Sequence, residues 1–95
     1  MDIKLTQGYI KWEKSLNREA RVVVSAKLAK AVTRNFENAK SLGGGLHELK
    51  IDFAQGYRIY FGKKENQVVI LIAGGTKKGQ QKEINVLKKI WKEIG

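Results

Sequence analysis

The fold turns on Gly56-Tyr57-Arg58-Ile59-Tyr60-Phe61, the apolar run Val68-Val69-Ile70-Leu71-Ile72-Ala73, and Gly74-Gly75-Thr76-Lys77-Lys78-Gly79-Gln80-Gln81. The first segment alternates, with Tyr57, Ile59 and Phe61 on one face of a strand and Arg58 and Tyr60 on the other. The second is apolar at every position, which predicts a central strand covered on both faces. The third closes the pair with a glycine-and-lysine turn. Lys63, Lys64 and Lys82 flank this stretch, and Glu65 is its single acid between Ala54 and Lys82. Such a local excess of cations suits a phosphate-rich partner.

Upstream, Leu49, Ile51 and Phe53 alternate with Glu48, Lys50 and Asp52, predicting a further strand with one buried face. Ala54-Gln55-Gly56 reads as the turn between the two strands, and Gly62 to Gln67 as a hairpin loop. Before them Gly43-Gly44-Gly45 ends a helical half, because three glycines cannot continue a helix cheaply. Within that half, Thr6 caps a helix with Tyr9, Trp12 and Leu16 on one side. Asn17 caps a second helix, whose apolar positions from Ala20 to Phe36 follow i, i+3, i+4, i+7 spacing. Asp2 to Leu5 reads as a short edge strand. The last helix begins around Lys78 to Gln80 and carries the stripe Ile84, Leu87, Trp91 and Ile94. The order predicts an α+β fold: an amino-terminal helical hairpin packed on a curved antiparallel sheet of three or four strands, then a carboxy-terminal helix.

With 95 residues, the expectation is one domain over 1–95. No cysteine is present, so a disulfide or thiolate metal site is excluded, and a cytoplasmic location is the expectation. No apolar run approaches the roughly 20 residues that cross a bilayer. The net charge of +10, from 19 Lys and Arg against 9 Asp and Glu, favours a polyanionic partner: nucleic acid, an anionic membrane or an acidic protein.

Arg58 is the foremost candidate for chemistry, because its guanidinium can grip a phosphate through two parallel hydrogen bonds. An ion pair with Glu48 or Asp52 on the same sheet face is an equally good reading. Lys77 and Lys78 follow glycines that let backbone approach an anion, or they belong to a solvated turn. The spacing is not that of a Walker A loop. His47, the single histidine, can serve as a general acid or base, or as a structural residue at a strand start. Tyr60 shares the face of Arg58, where it can stack on a base. Trp12 and Trp91 read as packing residues. The lysine-rich face of the last helix meets an RNA backbone, an acidic partner or solvent. Glu48 and Asp52 beside Lys50 read as a solvated face rather than metal ligands.

Taken in order, Trp12, Ser41-Leu42-Gly43-Gly44-Gly45-Leu46-His47-Glu48-Leu49-Lys50-Ile51, the Gly56–Phe61 strand and Gly74-Gly75-Thr76-Lys77 resemble the RelE/ParE superfamily of toxins. The nearest branch is that of addiction-module killer proteins, related to phage-derived and HigB-like toxins. The resemblance implies the toxin of a type II toxin–antitoxin system, with a cognate antitoxin of helix-turn-helix type. It further implies a metal-independent, cofactor-free mRNA interferase, an endonuclease that cuts mRNA on the ribosome and so inhibits translation. A ParE-like inhibitor of DNA gyrase and a non-catalytic basic nucleic-acid-binding module are the alternatives. On the nuclease pattern, Arg58 binds the scissile phosphate, with Lys50 and Lys77 as further cations. Lys63, Lys64, Lys78 and Lys82 are the expected RNA-binding residues. Glu48 stands where a second lysine is common, and no tyrosine or histidine follows Lys78. The proton-transfer role therefore falls to His47, Tyr60 or a lysine.

Overall fold

The computed structural model describes residues 2–54, 56–64, 68–76 and 80–94, with Asp2, Lys64, 68–76, 80–83 and Ile94 described as backbone. The chain runs β1 (Asp2–Leu5), α1 (Gln7–Ser15), α2 (Arg18–Thr33), β2 (Lys40–Gly43), β3 (Leu46–Ile51), β4 (Tyr57–Lys64), β5 (Val68–Thr76) and α3 (Gln80–Ile94).

Both predicted caps form. Thr6 Oγ1 accepts from the Tyr9 amide at 3.2 Å, and Asn17 Oδ1 accepts from the Ala20 amide at 2.8 Å. Each satisfies an amide that a helix start leaves without an internal partner. α2 ends at Thr33, three residues before the predicted end at Phe36. The Phe36 amide donates to Ala31 O and the Asn35 amide to Val32 O, the paired bonds of a Schellman stop. Asn35, at φ 53°, supplies the left-handed residue that this stop needs. Phe36 then folds back onto Phe61, with ring centroids 4.6 Å apart.

The sheet has five strands in the order β1-β5-β4-β3-β2, not the three or four expected. It is also mixed: β1 pairs parallel with β5, while the other neighbours are antiparallel. The extra strand is β2, Lys40-Ser41-Leu42-Gly43, which has a single large apolar residue and therefore no alternation to betray it. Its strand character comes from the backbone ladder with β3, which periodicity in a sequence does not report. The edge strand at Asp2–Leu5 and the interior position of β5 are as predicted. A register shift between Tyr60 and Phe61 leaves Ile72 as an extra residue in β5, a bulge of the kind that bends and twists a sheet.

Two cores form, one on each face. α1, α2 and the turn after α2 cover Leu49, Ile51, Tyr57, Ile59 and Phe61 with Tyr9, Ala20, Val24, Ala31 and Phe36. α3 covers Leu46 and Tyr60 with Ile84, Leu87 and Trp91. No described helix is long and apolar enough to cross a membrane.

Candidate functional site

The register of β3 and β4 sets Lys50 opposite Arg58, Glu48 opposite Tyr60 and His47 opposite Phe61. Because strand side chains alternate, Arg58, Tyr60, Glu48 and Lys50 share the α3 face, while His47 falls on the α1/α2 face. Between β3 and β4 the chain turns with Ala54 at φ 52° and Gly56 at φ 86°, closed by the Gly56 amide donating to Phe53 O at 2.8 Å. This turn and the adjoining strand ends form a cleft of about 360 Å³ lined by Lys50, Asp52, Phe53, Tyr57 and Arg58.

Arg58 is held from below. Its Nη1 donates to Glu48 Oε1, and the two side chains are 10% and 4% exposed. The ion-pair reading of Arg58 is therefore realised, with Glu48 rather than Asp52 as its partner. A guanidinium carries three nitrogens with five N–H groups, so the bond to Glu48 fixes the fork without exhausting its donors. Lys50 differs: its side chain is 60% exposed, and Nζ lies 3.9 Å from Oδ1 of an even more exposed Asp52. An exposed pair at that separation contributes little and leaves Lys50 available to an incoming anion.

Tyr60 is fully buried beneath α3, packed with Leu46 and Trp91. This corrects the expectation that it stacks on a nucleotide, since no part of its ring reaches solvent. The misreading has a physical source: alternation identifies which face a residue occupies, but not which part of that face a helix covers. His47 is likewise separated from Arg58 by the sheet. Its ring stacks on Phe61, with centroids 5.4 Å apart and planes 17° from parallel. Burial, and secondarily the charge of Lys63, hold its pKa below the ordinary value. It is a neutral packing residue near pH 7 and is not placed to serve Arg58.

Lys63 Nζ donates to Asn35 O at 3.3 Å, tying β4 to the loop after α2. It lies at the far end of β4 from the Arg58 cleft, among the residues that line a second cleft with Trp91, Lys88 and Lys92. Lys77 and Lys78 lie outside the described residues, as do the side chains of Lys64 and Lys82. The cleft thus brings together Arg58 and Lys50 from the expected set, adds Asp52, rests on the buried Glu48 beneath Arg58, and excludes His47, Tyr60 and Lys63. Asp52 meets Lys50 two residues away at the end of the same strand, while Glu48 meets Arg58 ten residues away across the β3–β4 register, which is what chose it over Asp52.

Residues 11–93 match the family described as Phage derived protein Gp49-like (DUF891). An uncharacterized protein of Haemophilus influenzae is 35% identical over 96 residues, spanning 100% of this chain and 97% of its own. Among solved structures, a mutant E. coli RelE toxin in the free state superposes with a TM-score of 0.71 at 21% identity, covering 94% of this chain and 96% of that one. The toxin of the intact E. coli RelBE toxin–antitoxin complex gives a TM-score of 0.67 at 20% identity, over 81% of this chain and 96% of that one. The RelE–RelB complex of Pyrococcus horikoshii gives 0.61 at 10% identity, over 82% and 96% of the two chains.

Proposed function

Since this chain belongs to the phage-derived Gp49-like family and carries the fold of RelE toxins, we propose that it is the toxin of a type II toxin–antitoxin pair. In this reading it acts in the cytoplasm as a ribosome-dependent mRNA endonuclease and is neutralised by a cognate antitoxin. The observation that supports it is the cross-strand placement of Lys50 opposite Arg58 at the mouth of one cleft.

The chemistry asked of these residues is modest. The 2′-oxygen of one nucleotide bonds to the adjacent phosphorus, the bond from phosphorus to the next 5′-oxygen breaks, and a proton passes from the first oxygen to the second. Negative charge grows on the phosphoryl oxygens during attack. Preoriented cations are worth most there, because they need not reorganise as the charge appears. Glu48 supplies that orientation for Arg58, while Lys50 is free to follow the phosphate. Asp52 is a carboxylate on the cleft wall that can accept the 2′-hydroxyl proton.

Mapping mRNA ends in a translating extract tests the proposal. The wild-type chain is expected to create new ends, and Lys50→Ala and Arg58→Ala each to slow their appearance by about a hundredfold. Lys50 is exposed, so its substitution leaves folding untouched and isolates the chemistry. Intact mRNA at growth-arresting levels of the wild type would overturn the nuclease reading.

One observation favours a second reading. The two side chains best suited to proton transfer, His47 and Tyr60, are both withheld from the Arg58 cleft. A toxin acting by binding alone, as a gyrase inhibitor does, needs no proton carrier. It predicts loss of supercoiling activity with mRNA left whole.

A further inference from the structure

A second cleft lies at the other end of the sheet. It measures about 650 Å³, within the range of ligand pockets, and its walls are the glycine turn 43–45 with Lys63, Lys88, Trp91 and Lys92. Its floor is built rather than incidental. Trp91 Nε1 donates to Gly44 O at 2.9 Å, fastening α3 to the β2–β3 turn. The same indole lies over Gly45 and Gly62: a Cβ at Gly45 would come within 2.8 Å of Nε1, and one at Gly62 would strike the ring itself. Gly43, Gly44 and Gly45 all have positive φ, at 91°, 64° and 87°, so the opposite wall is bare backbone.

The charge on this cleft has one sign. Lys88 and Lys92 are exposed and one helical turn apart, on the same side of α3. Among the described residues lining the cleft there is no carboxylate, in contrast to the Arg58 cleft with its Asp52. Two ammonium groups repeated along a rigid element, beside an apolar floor and a side-chain-free wall, match a chain of repeating phosphates with bases or sugars between them. The cleft adjoins Gly45 and Gly62, four residues along β4 from Arg58, or roughly 13 Å at strand rise. A few nucleotides span that distance.

We propose that the Lys88–Trp91–Lys92 cleft is a second contact for single-stranded RNA, with Lys88 and Lys92 on consecutive phosphates and the glycine turn against the intervening nucleotide. The inference rests on the RNA-directed reading above. It assigns part of substrate binding to α3, whose exposed lysines would otherwise be a solvated face.

The test measures binding of a fluorescein-labelled uridine 12-mer to the full chain across a salt series, apart from any cleavage. Each phosphate contact to a single strand contributes about 0.7 to the slope of log affinity against log salt. Lys88→Gln/Lys92→Gln is therefore expected to make the slope shallower by about 1.4, with a several-fold loss of affinity at low salt. Lys11→Gln/Lys14→Gln removes the same charge from exposed positions on α1 and is expected to change the slope less. Equal effects of the two double variants would overturn the proposal. So would cleft-dependent binding of a polyglutamate peptide without cleft-dependent RNA binding, which would assign the cleft to an acidic protein. A cleft-dependent slope in a chain that leaves mRNA uncut would sink the nuclease reading and keep this one.

Discussion

The two faces of the sheet are built from the same strands by opposite means. Toward α1 and α2, β3 and β4 present Leu49, Ile51, Tyr57, Ile59 and Phe61, and among the described residues their buried partners on that side are apolar or aromatic. Toward α3, the alternate residues of the same strands bury Leu46 and Tyr60 but also the charged pair Glu48 and Arg58. The first face secures the fold through dispersion and removal of apolar area from water. The second gives up stability, because a buried ion pair seldom outdoes an apolar pair of similar volume. What it gains is a guanidinium fixed in place at the edge of a cleft. One face is packed for stability, and the other holds a buried charged pair at the edge of a cleft, where the proposed recognition would occur.

The strongest challenge to this division is Glu48→Ala. It leaves Arg58 buried without its counter-ion, and the expected loss is about 3–5 kcal/mol in urea unfolding. Replacing both residues together, as Glu48→Leu/Arg58→Met, is expected to recover most of that loss while abolishing function. If the double replacement is as unstable as the single one, the pair is structural and the contrast between faces fails.

Gly62→Ala probes the α3 face at its other end, where the Trp91 ring occupies the space a Cβ needs. The indole must move, and with it the bond to Gly44 O, for an expected cost of about 1–3 kcal/mol. Tryptophan fluorescence should shift to the red as Trp91 meets water. An unshifted spectrum would show that the α3 face repacks more freely than its counterpart.

The smallest effect belongs to His47, on the apolar face. Its folded pKa lies below the ordinary 6.5, so the unfolded chain binds a proton that the native chain refuses. Stability should therefore fall as pH drops through about 6.5 and level off below the folded pKa. His47→Gln is expected to flatten that part of the melting profile. An unchanged profile would mean that the apolar face tolerates a charge after all.

Much of this architecture was legible residue by residue. Thr6 and Asn17 announced their helices because a side-chain oxygen before a helical pattern has a local task. Tyr57, Ile59 and Phe61 were separable from Arg58 and Tyr60 because strand periodicity is two. β2 escaped notice because a ladder strand with one apolar residue leaves no pattern. Asn35 carried a usable signal, as asparagine tolerates the left-handed conformation that stops α2 three residues early. At the candidate site, alternation was enough to put Arg58 on the sheet face it shares with Glu48, the ion-pair partner the structure shows. The fate of Tyr60 was not legible, since it depends on which helix lies over it, whereas His47 shares the parity of Leu49 and Ile51 and so the face opposite Arg58.

The sequence by itself determined the order and kind of most elements, the two strand parities, and an excess of positive charge that favours an anionic partner. These are local or additive properties, set by spacing along the chain and by counting. The tertiary structure alone decided that Glu48 engages Arg58, that α3 seals Tyr60 from solvent, and that Trp91 and a glycine turn forty-seven residues away enclose a second basic cleft. Each of these depends on register and packing between distant segments, and the energies that select them do not exist until the chain has closed.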